Sequence, residues 1–189
     1  MTLGAPFPEI LAAAQQGAQW AWSRIYQDLA GPVTGYLTGR GGAEPDDLVS
    51  ETFLQVARGI HGFAGDEDQF RSWVFVIAHR RLLDERRKSG RRPATVPLEG
   101  SDDQDGVSAA QTHAGGDVEA EAMDALGGEH VRAMLEGLTP DQRDVVMLRI
   151  VGGLSLEEAA RVLGKPVGAV KALQHRAVKA LQRNLSESA

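Results

Sequence analysis

Lys165, Lys171, Arg176, Lys179 and Arg183 fall in a stretch, 165–185, that contains no acid. Pro166 starts a helix in this stretch, and Val167, Val170, Leu173, Ala177 and Leu181 follow at helical spacing. One face of that helix is therefore apolar, and Lys171, Gln174, His175, Lys179 and Arg183 point away from it. Long-stemmed cations bind phosphate, and Gln174 and Lys171 carry donors that can reach base edges. The chemistry is that of nucleic-acid binding, with Lys165, Val167 and Gly168 at the leading end. A second concentration of charge lies in 80–92, where seven basic residues face only Asp84 and Glu85. Phe70, Trp73, Phe75 and Ile77 precede it. Aromatic rings beside cations suit single-stranded DNA, by stacking and by attraction for phosphate. Trp73 shares a stripe with Phe70, Val74 and Ile77, which favours a core position. Phe75 lies off that stripe and is expected to be exposed.

Such side chains need elements to hold them. Ser155-Leu-Glu-Glu158 and Thr139-Pro140-Asp141-Gln142 are capping boxes that start two helices. Gly164 ends the first of these helices, and the basic helix begins about three residues later. Ala160 is small enough for two helices to cross, and Gly164 tolerates positive φ, as a helix-turn-helix requires. The alternative is an ordinary helical hairpin with a solvated basic face. Upstream, Trp22, Ile25, Tyr26, Leu29, Val33 and Leu37 predict a helix that Gly39, Gly41 and Gly42 close. Pro45-Asp46-Asp47 opens the next, with acids in its positive first turn and Leu48, Val49, Thr52, Phe53, Val56 and Ile60 inward. After a loop at Gly62–Asp68, a third helix is expected from about Gln69 to Lys88. No long alternating run supports a sheet, so the fold is expected to be all-α.

The chain has 189 residues and a net charge of −6. Nine of its acids fall between Pro93 and Val131, which hold no Lys or Arg, so the remainder carries +3. Gly100–Gly116 is also poor in large apolar residues. These features predict two small helical domains, 1–92 and 123–189, joined by a flexible acidic linker at 93–122. Each domain is close to the smallest size that folds alone and is expected to gain stability from a partner.

The composition narrows the function classes. There is no cysteine, which excludes a disulfide framework, a zinc ribbon and a thiol nucleophile. No signal peptide or apolar run long enough to cross a bilayer is visible, so a cytoplasmic location without membrane insertion is expected. His61, His79, His113, His130 and His175 show no paired ligand spacing, and no Gly-rich phosphate loop follows a strand. Catalytic residues, metal ligands and cofactors are not expected, nor is enzyme activity.

Asp46-Asp47-Leu-Val-Ser-Glu51-Thr-Phe53-Leu-Gln55, then Phe70-Arg-Ser-Trp73-Val-Phe-Val-Ile77-Ala, then Asp84, resembles region 2 of ECF (extracytoplasmic-function) sigma factors. Leu138-Thr-Pro, Leu154-Ser-Leu-Glu-Glu-Ala-Ala, Gly164-Lys-Pro-Val-Gly168-Ala-Val-Lys171 and His175-Arg176-Ala177 resemble region 4 of the same class. Both blocks occur in the family's order. The resemblance implies a promoter-recognition subunit of RNA polymerase. Asp47, Glu51, Leu54, Gln55 and Arg58 would dock on core polymerase. Phe63, Phe75, Val76, His79, Arg80, Arg81 and Arg87 would hold the melted strand of the −10 element. Lys165, Val167, Gly168, Lys171, Gln174, His175 and Lys179 would enter the duplex at −35. Many members carry Arg in place of Val76 and Asn in place of Arg80, so the bases preferred at −10 are expected to differ. Many also have Thr-Val-Lys-Ser-Arg-Leu where this chain has Ala169-Val-Lys-Ala-Leu-Gln174. An anti-sigma factor is a further expected partner. The linker is expected either to thread basic channels of the polymerase or to serve as a passive tether. A free-standing helix-turn-helix regulator is the rival reading; it would not need a basic patch on its first domain.

Overall fold

The computed structural model describes the backbone of residues 7–91 and 133–187 and the side chains of 7–88 and 133–184. The expected linker, 93–122, lies outside the described residues, as do His113 and His130. Within them every regular element is a helix, as the patterning predicts.

Helix α1, Phe7–Gln15, buries Phe7, Ile10, Leu11 and Ala14. It has no counterpart among the expected elements, although these residues stand at i, i+3, i+4 and i+7. Helix α2, Gln19–Gly39, buries Ile25, Leu29, Val33 and Leu37 as anticipated, and Ala21 and Tyr36 besides. Tyr26, expected inside, is half exposed and packs on Phe53 instead, with ring centroids 4.8 Å apart. Helix α3, Pro45–Gly59, starts on proline with Asp46 and Asp47 in its first turn and ends beside Arg58, charges that complement its dipole. A 3₁₀ turn, Ile60–Gly62, leads into a loop. Helix α4, Glu67–Arg91, is started by a reciprocal cap: Gln69 N donates to Asp66 Oδ1 (2.8 Å), and Asp66 N donates to Gln69 Oε1 (3.2 Å).

After a helical turn at 133–136 come α5, Pro140–Ile150, α6, Leu156–Leu163, and α7, Val167–Glu187. Both predicted capping boxes form. Gln142 N donates to Thr139 Oγ1, and Thr139 N donates back to Gln142 Oε1. Ser155 and Glu158 repeat the arrangement on α6. Gly164 has φ +62° and its N–H reaches the carbonyls of Ala160 and Arg161. The chain thus turns sharply into α7, whose Val170, Leu173, Ala177 and Ala180 are buried.

The N-terminal module (α1–α4) and the C-terminal module (α5–α7) share one apolar core. Helix α4 is the centre of the molecule. It packs on α3 and α2 within its own module and on α6 of the other, while α2 also meets α5. Glycines make the approach close. A Cβ on Gly35 would lie 2.9 Å from Val151 Cγ1, and one on Gly152 would lie 3.1 Å from Phe75 Cζ. A Cβ on Gly39 would overlap Met147. Each module is too small to bury much surface alone, and here each supplies the apolar cover that the other lacks.

The α6 cap gives a direct check. Ser155→Ala removes the acceptor of the Glu158 N–H and should destabilise the protein by about 1 kcal/mol. A drop in the urea midpoint with an unchanged slope is the expected result.

Candidate nucleic-acid interface

The helix-turn-helix unit presents its predicted residues largely as expected. Val167, Gly168, Lys171, His175 and Lys179 are exposed along α7. Lys165 lies in the turn and is half-buried, with Nζ 2.9 Å from the carboxylate of Asp141. Such a partly exposed pair is weak and can exchange for a phosphate. Gln174 is half-buried and its Oε1 is shielded from solvent. Its amide therefore leans against the fold, which leaves Lys171 as the better placed of the two candidate base-readers. Arg183 is exposed one turn beyond Lys179.

The N-terminal module carries two further sets of residues, which line two separate clefts between α3 and α4 with Arg81 common to both. Asp47, Glu51, Leu54 and Arg58 form an exposed row on α3. Leu54 keeps 56% of its surface in water despite its apolar side chain. Gln55 is half-buried and lines the first cleft with Trp73, Ile77, Arg80 and Arg81. In the second cleft Arg81 and Lys88 stand among Glu44, Asp47, Glu51, Asp84 and Glu85. Arg80 and Arg87 are exposed; Arg87 holds Asp84 at 3.2 Å. Val76 is half-buried.

The loop before α4 is held by its own aromatic packing and by α1. Phe63 is half-buried, edge-on to Phe70 (5.1 Å) and beside Trp73 (5.2 Å). Gln15 Nε2 donates to the carbonyls of Ile60 and Phe63, each at 2.9 Å. These two bonds fix the start of the loop that carries Phe63. Gln15 was not among the predicted site residues, because nothing local to α1 announces a partner 45 residues away.

Two predicted contacts are corrected. Phe75, expected at the surface, is completely buried, and His79 is 9% exposed. Neither can touch DNA in this conformation. Phe75 stands edge-on to Tyr36 (5.7 Å) and lies under Gly152 of the C-terminal module. His79 Nδ1 is 2.7 Å from Tyr36 Oη. The Tyr36 hydroxyl also reaches Asp144 Oδ1 of α5 (3.1 Å), and Arg40 Nη2 donates to Asp144 Oδ2 (2.8 Å). Arg40 Nε lies against the other carboxylate oxygen as an ion pair without hydrogen-bond geometry. Arg40 and Asp144 are 3% and 5% exposed. Arg86 in turn donates to the carbonyl of Arg40. A buried polar network thus joins α2, α4 and α5 across the two modules. Burial raises the Tyr36 pKa well above the usual phenol value, and Asp144 adds to the shift. Burial lowers the pKa of His79, with Arg40 and Arg86 acting in the same direction and Asp144 opposing them.

A basic helix-turn-helix unit, joined to a helical module with an exposed row on α3 and a cleft lined by Trp73, Arg80 and Arg81, has the features of a DNA-binding factor. Two family descriptions match the chain: "Sigma-70 region 2" over residues 21–92 and "Sigma-70, region 4" over residues 129–181. The chain belongs to the sigma-70 family of transcription initiation factors. Its relatives place it, more narrowly, among the ECF sigma factors. It is 34% identical over 183 residues to the ECF RNA polymerase sigma factor BldN of Streptomyces coelicolor, which covers 96% of this chain and 66% of that protein. It is 27% identical to the ECF sigma factor SigD of Mycobacterium tuberculosis, over 92% of this chain and 81% of SigD. Among solved structures, CnrH, in complex with the cytosolic domain of CnrY, superposes with a TM-score of 0.64 at 25% identity, covering 95% of this chain and 97% of that one. The sigma factor RpoE of Bartonella quintana, in complex with the anti-sigma factor NepR, shares the fold at a TM-score of 0.58 and 21% identity.

The His79 environment predicts a pH dependence. With its folded pKa lowered, His79 binds a proton more readily in the unfolded chain. Its neutral form is intact above the ordinary value of about 6.5, and the stability it carries declines as pH falls below that value. Tyr36, Arg40, Arg86 and Asp144 are the charged or titratable groups around it. Urea unfolding at about pH 7.5 and about pH 5.5 should show wild type losing more stability on acidification than His79→Gln does.

Proposed function

We propose that this chain binds core RNA polymerase through α3 and positions two promoter elements, with residues 1–92 serving the −10 element and residues 123–189 the −35 element. The observation that carries this reading is the pairing, in one chain, of a solvated helix-turn-helix face with a second module that exposes Asp47, Glu51, Leu54 and Arg58 on α3 and lines a separate cleft with Trp73, Arg80 and Arg81. Asp47, Glu51, Leu54, Gln55 and Arg58 form the docking row. Leu54 supplies apolar area at its centre, and the charges around it set orientation. Lys165, Val167, Gly168, Lys171, His175 and Lys179 meet the duplex, with Lys171 reading base edges and the rest holding phosphates or the groove wall. Phe63, Val76, Arg80, Arg81 and Arg87 line the path of the opened strand.

The factor works without catalysing a reaction and needs no cofactor. Strand opening is driven by capture of unpaired bases, while the polymerase performs the chemistry. The setting is the cytoplasm, where core polymerase and promoter DNA meet; among the described residues no helix is long and apolar enough to cross a membrane. An anti-sigma factor is a further partner, and the exposed docking row is the surface it would cover; CnrH is likewise solved with a protein partner, the cytosolic domain of CnrY. The overall net charge of −6 keeps nonspecific binding to DNA weak until core enzyme is present.

Transcription with purified core polymerase tests the reading. The chain should create promoter-specific initiation, and gel shifts without core should show little specific binding. Tight specific duplex binding by the chain alone would favour a free-standing regulator. Leu54→Asp should weaken association with core by about tenfold or more, since it places a charge in the middle of an interface (~1.4 kcal/mol per tenfold). Lys171→Ala should leave core binding unchanged and cut initiation at the cognate promoter, with the loss of one base contact worth about 1–3 kcal/mol.

A further inference from the structure

We propose that the −35 duplex is read chiefly through the methyl groups of thymine, with Ala172 and Val167 of α7 as the reading side chains and Gly168 as the point where the helix backbone comes closest to the base edges. The inference rests on the reading above, that α7 enters the duplex, and names the chemistry that α7 recognises there. In a helix-turn-helix unit the leading residues of the second helix meet base edges. On α7 the exposed residues in that position are Val167, Gly168, Ala169, Lys171, Ala172 and His175.

Few of these can read a base by hydrogen bonds. Gln174, the amide of this stretch, leans inward with Oε1 shielded from solvent and without a hydrogen-bond partner. A bidentate amide contact with adenine is therefore not offered. Lys171 brings a point charge on a flexible stem, with no planar fork to grip two acceptors at once. What remains outward is methyl: Val167, 40% exposed, and the exposed alanines. Thymine is the base that presents a methyl group in the major groove. Lys179 and Arg183, exposed farther along α7, bring charge to phosphates, which binds duplex without reading it. The cations then set affinity and its salt dependence, and the methyls set sequence.

Gly168 supplies the depth that such a reading requires. An alanine side chain is short, and it touches a base edge only where the helix backbone itself lies close to the groove floor. Gly168 stands one helical turn before Ala172 on the same side of α7. A Cβ at Gly168 would meet nothing within 4 Å in the protein, and Gly168 is not among the glycines of positive φ. Neither internal packing nor backbone conformation calls for a glycine here, whereas close approach of the backbone to a ligand does. Val167 and Ala172 flank the line that runs from Gly168 to His175, so the two methyl contacts fall on either side of the closest point.

Deoxyuridine tests this without altering the protein, because it keeps every hydrogen-bonding group of thymine and lacks the methyl. The probe is a promoter located by start-site mapping of transcripts made by the full-length chain with core polymerase. Thymines of its −35 element are replaced singly by deoxyuridine on each strand. At the contacted positions the replacement should weaken binding by the chain with core about fourfold, the worth of one buried methyl, and in the spacer it should change nothing. Ala172→Gly should erase the preference for thymine over deoxyuridine at one such position, and Val167→Ala should reduce it at another. Gly168→Ala should keep or raise thermal stability and weaken binding to the same promoter about tenfold, since its Cβ takes the space that the duplex fills. If wild type with core yields no transcript, or if scrambling the −35 duplex has no effect, the underlying reading falls and this inference with it. With that reading intact, three results overturn the inference alone: deoxyuridine bound as well as thymine throughout the element, a thymine preference undiminished in both Ala172→Gly and Val167→Ala, or a Gly168→Ala protein that binds as tightly as wild type.

Discussion

A carboxylate on α5 and a guanidinium at the end of α2 meet inside the protein, and the arrangement of the two modules depends on that meeting. Asp144 and Arg40 are separated by 104 positions in sequence and are almost entirely removed from water. Burying two charges is costly, and their attraction repays the cost only where geometry is good and remaining hydrogen bonds are met. Here Tyr36 supplies a second donor to Asp144, and the carbonyl of Arg40 is itself taken by Arg86. The pair therefore adds little net stability over an apolar contact of the same shape. Removing one partner is another matter: an orphaned buried charge costs about 3–5 kcal/mol. The clamp thus acts mainly on register, because a slip of α5 along α2 would strand both charges.

Around this polar centre the apolar seam follows from the position of α4. In a helix that faces one neighbour, apolar residues off the main stripe are exposed. Helix α4 faces several. Phe70 and Val74 are buried on one side, and Phe75, Ala78 and Leu82 on another. Tyr36, Phe75 and His79 then touch in a continuous ring contact that carries the polar network into the core. A helix buried on both sides yields a weak amphipathic pattern in sequence, which is why its inner residues are harder to place than those of α3.

Local features were legible in the sequence, and long-range ones were not. Ser155 with Glu158, Thr139 with Gln142 and Gly164 are settled by interactions spanning three or four residues, so spacing alone reveals them. The solvated row Asp47, Glu51, Leu54 and Arg58 followed from the inner stripe of α3. Phe75 was misplaced because its cover comes from Gly152, far along the chain. Asp144 carried a signal that a periodicity reading passes over: an acid immediately before Val145, Val146, Met147 and Leu148, all of them buried. A charge in such a setting needs a counter-charge. Arg40, set among Gly39, Gly41 and Gly42, gave no comparable hint, since a cation at a helix end has a sufficient local reason in the dipole.

The choice of an ion pair at this seam has a consequence for opening. An apolar interface of equal strength would expose adhesive surface whenever the modules part, and would invite association with other chains. Charged groups behave differently. Arg40 and Asp144 recover their hydration once they separate, so most of the electrostatic energy lost on opening is returned by water. A contact of this kind is specific while shut and inexpensive to undo. It also releases a guanidinium and an imidazole beside Phe75, on the module already rich in Arg80, Arg81 and Arg87.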